Sequence, residues 1–85
     1  MIFQFKHADE ICTAYVLYNA FQISDTMIVE FINCPFEIGN EITFVQSGPN
    51  VWQCEGEFKY NFPITYINLC EQLSLLFPDH KFQFS

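Results

Sequence analysis

Arginine is absent from the 85 residues, and lysine occurs only at positions 6, 59 and 81. The guanidinium fork carries most bidentate recognition of phosphate and carboxylate, so a chain without it is poorly equipped for either. Ten carboxylates stand against the three lysines, and the net charge of −7 sets up a field that attracts basic partners and repels nucleic acid. Glycine is scarce as well: Gly39, Gly48 and Gly56 stand apart, and no glycine-rich phosphate loop can be assembled from them. Apolar runs are short and broken by Glu, Asn or Gln, so no membrane span is expected. Met1-Ile2-Phe3-Gln4-Phe5-Lys6 has no basic segment leading into an apolar one. A secretory signal is therefore not expected, and the expected location is cytoplasmic. Cys12, Cys34, Cys54 and Cys70 form no C-x-x-C pair. No zinc site, metal centre or cofactor is expected, and in a reducing compartment the four read as small buried hydrophobes.

What is abundant is apolar and aromatic. Hydrophobic residues make up 51% of the chain and aromatic residues 19%, with 11 Phe among them. Such content excludes an acidic disordered tail. It is enough for one core, and residues 1–85 read as a single α+β domain.

Met1 to Phe5 alternates as a short strand does. Ala8, Ile11, Cys12, Tyr15 and Tyr18 recur at helical spacing and predict a helix to about Phe21, although Tyr15-Val16-Leu17-Tyr18 also suits a strand. Leu17 then falls on the helix face opposite the apolar stripe. Ser24-Asp25-Thr26 breaks the pattern. Met27 to Ile32 is apolar on both faces except at Glu30, as a central strand is. Gly39-Asn40, between Phe36-Glu37-Ile38 and Glu41 to Val45, predicts a two-residue hairpin, and Ser47 to Asn50 predicts a second turn. Val51 to Tyr60 alternates most clearly, with Trp52, Cys54, Phe58 and Tyr60 inward and Gln53, Glu55, Glu57 and Lys59 outward. Pro63 opens a helix whose stripe is Tyr66, Leu69, Cys70, Leu73, Leu76 and Phe77. Lys81 to Phe84 reads as a last strand.

The expected fold is therefore β-α-β-β-β-α-β: an antiparallel sheet of four to five strands with two helices on one face, close to a split βαβ unit. In that topology the first and last strands are neighbours, and Phe3-Gln4-Phe5 pairs with Phe82-Gln83-Phe84.

No constellation names a reaction. His7 and Cys12 are five residues apart, on different sides of a helical turn, with no oxyanion hole nearby, so the polar cluster of His7, Asp9, Glu10 and Cys12 reads as a helix start. His80 reads as a surface loop residue. A nucleic-acid-binding sheet would need Lys or Arg where Glu55 and Glu57 stand. The acids themselves remain. Glu37 and Glu41 flank the first hairpin, Glu55 and Glu57 share the wet face of the long strand, and Glu30 lies on the strand beside it. Hairpin pairing brings Glu41, Glu55 and Glu57 within about one Debye length, roughly 8–10 Å.

These residues, with an outward Leu17 as apolar anchor, predict a small non-enzymatic inhibitor or adaptor. Its partner is a basic protein, such as a nuclease or nucleoprotein complex, whose phosphate-binding track it blocks. In size, acidity and lack of catalytic motifs the chain resembles phage-encoded anti-defence proteins, anti-CRISPR proteins among them. Bacteriocin immunity proteins share that profile. A homodimer or other homo-oligomer built through edge strands is the alternative, because apolar residues exceed what so small a core can hide.

Overall fold

Side chains that alternate between core and solvent build most of this molecule. A computed structural model describes residues 1–19 and 26–83. β1 (Ile2–His7) buries Phe3, Phe5 and His7 and exposes Ile2, Gln4 and Lys6. Ala8 and Asp9 reverse the chain, and β2 (Glu10–Asn19) returns antiparallel with Cys12 opposite Phe5. β3 (Thr26–Asn33), β4 (Glu41–Gly48) and β5 (Val51–Glu55) extend the antiparallel meander. Two helices follow, α1 (Phe58–Asn61) and α2 (Pro63–Leu76), before β6 (Lys81–Phe82) adds to β5 in parallel. The fold is α+β, a mixed six-stranded sheet in the order β1-β2-β3-β4-β5-β6 with two helices.

α2 fixes the inside of the sheet. Pro63 sits in its first turn, where the missing N–H costs nothing, and Tyr66, Leu69, Cys70 and Leu73 form its buried stripe. They pack against Val29, Phe44, Trp52 and the rest of one apolar core. α2 contacts both β1 and β6, the two edge strands, so the sheet curls around the helix. Tyr66 stacks on Phe44 with ring centroids 6.2 Å apart, and its hydroxyl donates to the Gln83 carbonyl at 2.5 Å. Burial pushes that hydroxyl far above the usual tyrosine range, so it stays a donor.

Several expectations change. The segment from Ala8 is β2, not a helix, as far as Asn19; the remainder of the expected helix, with Phe21, lies outside the described residues, as do Ser24 and Asp25 of the break after it. Cys12, Ala14 and Val16 point inward while Ile11 and Leu17 point outward. The outward residues are themselves apolar, which blurred the two-residue period and let a helical spacing coincide with it. Phe36–Ile38 is a single 3-10 turn rather than a strand, so the β3–β4 link is longer than a two-residue hairpin. The long strand stops at Glu55 because Gly56 takes φ +85°, a conformation that turns the chain into α1. Past that turn Lys59 is buried and Tyr60 exposed, the reverse of the alternating pattern.

The split βαβ order is overturned too. β1 pairs with β2 and β6 with β5, at opposite edges of the sheet, so Phe3 and Phe82 are not cross-strand partners; Phe84 lies outside the described residues. Both helices fall after β5, and the crossover through α2 is what lets β6 run parallel to β5. The turn expected over Ser47–Asn50 narrows to Pro49-Asn50, because Ser47 and Gly48 still belong to β4. The helix from Pro63 stands where the sequence places it, and β3 is central, between β2 and β4. His80 is not a simple surface residue. It is half-buried and accepts the Trp52 indole N–H at 2.8 Å.

Ala8 holds φ +53° in the β1–β2 turn, a left-handed conformation that penalises a Cβ. Ala8→Gly is expected to stabilise the fold by about 1 kcal/mol, and thermal unfolding should show the midpoint rising by about 4–8 °C.

Candidate docking face and the acidic cleft

Only one face of the sheet is covered by α2. On the other, residues two apart along each strand share the surface, and cross-strand register sets them in rows. One row runs Ile2, Tyr15, Glu30, Glu41, and the next runs Leu17, Ile28, Thr43, Glu55. Four sequence-predicted residues, Leu17, Glu30, Glu41 and Glu55, therefore occupy adjoining rows of one face. Leu17 reaches it from a strand rather than from the back of a helix, and Ile28 stands directly opposite it. Each row passes from apolar residues on β2 to carboxylates on β4 or β5.

Glu30 and Glu41 are direct cross-strand partners. Opposed residues hold their Cβ atoms about 4.5–5.5 Å apart, and like charges in such a pair destabilise a sheet. No lysine stands on β3, β4 or β5 to relieve them. Among the described residues the single acid–base contact is His7 with Glu37. The pair is thus a cost that folding does not require.

Glu37 and Glu57 lie off the strands, on the 3-10 turn and just before α1. The structure nonetheless brings them to Glu41 and Glu55, because all four line one open cleft of about 690 Å³ floored by Ile42 and Phe58. The cleft adjoins the carboxylate ends of both rows. Among the described residues no three His, Cys, Asp or Glu side chains converge as metal ligands would, so the carboxylates are spread over a surface rather than gathered on one ion. That spacing suits several Lys or Arg side chains of a macromolecule.

One connection was not legible in the sequence. His7 is buried at the end of β1, with its Nδ1 2.6 Å from the hydroxyl of Thr65 on α2 and its Nε2 2.6 Å from the Glu37 carboxylate. With the carboxylate accepting from Nε2–H, a neutral ring accepts the Thr65 O–H at Nδ1. The edge of His7 also meets Phe62, with centroids 5.5 Å apart. Thr65, 58 residues from His7, carries no local signal of this contact. A hydroxyl–imidazole–carboxylate chain has the components of a nucleophilic triad, but Thr65 is only 4% exposed and no substrate reaches it. Its effect is positional: it ties the 3-10 turn, and with it one wall of the acidic cleft, to β1 and α2.

The chain matches no protein-family model, no curated protein and no solved structure. Among the described residues no helix is long and apolar enough to cross a membrane.

Thr65→Val removes the hydroxyl at constant shape and leaves a buried ring nitrogen without a partner. The expected loss is about 1–3 kcal/mol in urea unfolding, whereas Glu37→Gln, which keeps an acceptor oxygen at an exposed position, should cost under about 1 kcal/mol.

Proposed function

We propose that the protein is a small acidic, non-enzymatic inhibitor or adaptor that docks its helix-free sheet face on a basic, nucleic-acid-handling protein. The observation that carries this reading is the opposed Glu30–Glu41 pair, with Glu55 in the adjoining row and no lysine on those strands. A partner's Lys or Arg side chains relieve the repulsion on docking, so the pair is unfavourable in the free protein and favourable in the complex. Leu17 and Ile28 supply an apolar centre beside the charges, the arrangement in which desolvated contacts contribute most. An arginine entering the cleft meets Glu37, Glu41, Glu55 and Glu57 together.

Phosphate-binding tracks of nucleases and nucleoprotein complexes present such cationic rows. Occupying one with carboxylates blocks it by mimicking its ligand's charge, the mode expected of an anti-defence protein of the anti-CRISPR type. A second copy of this chain is a poorer occupant. Placing the face against itself sets Glu30, Glu41 and Glu55 of one copy against those of the other.

Stability and binding should move in opposite directions. Glu41→Lys replaces a repulsive cross-strand pair with an attractive one and is expected to raise stability by about 0.2–1 kcal/mol. The same change should weaken binding at least tenfold, roughly 1.4 kcal/mol. Capture from a bacterial lysate on immobilised protein, followed by calorimetric titration of the captured protein, measures the second effect. The captured protein should be basic, should be released by added DNA or by raised salt, and should be lost with Glu41→Lys and with Glu55→Lys. Equal affinity of wild type and both variants at low salt would refute the reading.

A further inference from the structure

We propose that Cys12 and Cys34 form a dithiol site that is oxidised by low-molecular-weight disulfides to an intrachain bridge between β2 and the end of β3. The inference is independent of the docking reading and rests on strand register. Past the bulge at Thr13/Ala14, Thr13 pairs with Asn33, and continuing the antiparallel ladder by one residue sets Cys12 opposite Cys34. Directly opposed residues in such a ladder have Cα atoms about 4.5–5.5 Å apart, inside the roughly 4.4–6.8 Å that a disulfide spans. The side chains meet as register requires. The two thiols are close enough to influence each other's ionisation, and Cys34 Sγ donates to the Thr13 carbonyl at 3.3 Å, which holds it against β2 beside Cys12.

The two sulfurs differ in access, and that sets the order of events. Cys34 is half-buried and Cys12 has no exposed surface. The Cys34 thiolate attacks one sulfur of the external disulfide, breaking its S–S bond and releasing one small thiol. The Cys12 thiolate then attacks the Cys34 sulfur of the mixed disulfide, the Cys12–Cys34 bond forms, and the second small thiol leaves. Two protein thiols lose two electrons and two protons, and the external disulfide gains both as two thiols. Burial and the neighbouring Cys34 push the Cys12 thiol up to about 12, so closure accelerates as pH rises toward that value. Cys54 and Cys70 are both buried on the core side of β5 and α2, and neither offers an oxidant a point of entry.

Both sulfurs lie away from the outward rows that carry Leu17 and Glu30, so the bridge stiffens the β2–β3 ladder without altering that face. It closes a loop that includes the whole β2–β3 connection, which is the kind of constraint that stabilises by restricting the unfolded chain.

Oxidised glutathione added to the native protein at mildly alkaline pH tests the site. Intact-mass spectrometry should show loss of two hydrogens, peptide mapping should give a single cross-link joining Cys12 and Cys34, and the thermal midpoint should rise by roughly 10–20 °C. Dithiothreitol should reverse all three. Because Cys12 is fully buried, the informative variant is Cys34→Ser, which should lose both the mass change and the midpoint shift, while Cys54→Ser retains them. A glutathione adduct that persists on Cys34 without closing overturns the proposal, as does a cross-link to Cys54 or Cys70, or no reaction of the folded chain.

Discussion

One helix covering one face of a six-stranded sheet is the constraint on which the rest depends. α2 carries a single apolar stripe, and Tyr66, Leu69, Cys70 and Leu73 are buried against the concave side of the sheet, where Phe58 of α1 joins the same core. Reaching both edge strands with one helix obliges the sheet to curl. Among the described residues, no helix covers the convex side. Its composition, apolar on β2 and carboxylate on β3 to β5, follows from a surface that is not packed internally yet is more than solvated polar residues. An ordinary soluble surface mixes both charge signs; here β3, β4 and β5 carry carboxylates and no lysine.

The His7 network shows how the curled sheet and the acidic cleft are joined. A buried imidazole with hydrogen-bond partners at both nitrogens holds its ring in one orientation, and those partners come from α2 and from the turn after β3. Glu37 therefore has two parts to play, as the structural partner of His7 and as a wall of the cleft. Glu30, Glu41, Glu55 and Glu57 have no such internal partner among the described residues. Glu30 and Glu41, opposed across β3 and β4, are a cost to the fold.

Much of the architecture was legible because it is locally encoded. Pro63 followed by a regular apolar stripe specifies α2, and the branched run from Met27 specifies a central strand. Pro49-Asn50 specifies the turn between β4 and β5, where Asn50 adopts φ +58°. β2 was not legible, because apolar residues on both of its faces leave no clean period and its state is decided by pairing with β1 and β3. The end of β5 was obscured for the opposite reason: the alternation of polar and apolar residues continues past Glu55 although the backbone does not, and Gly56 decides the matter. Of the site, the residue types were legible and their arrangement was not. Glu37 and Glu57 were assigned to strands they do not occupy, yet they arrive at the same cleft as Glu41 and Glu55.

Sequence alone determined the sign of the surface, the absence of arginine and of a phosphate loop, the existence of an aromatic core and the helix that closes it. These are sums over residues or patterns within a few turns of chain, and they need no knowledge of distant contacts. Tertiary structure decided which carboxylates oppose one another, which face they share with Leu17, and that His7 meets Thr65 and Cys12 meets Cys34. Each of those depends on strand order and register, which are set by long-range pairing, and a shift of one residue would move every side chain of a strand to the other face.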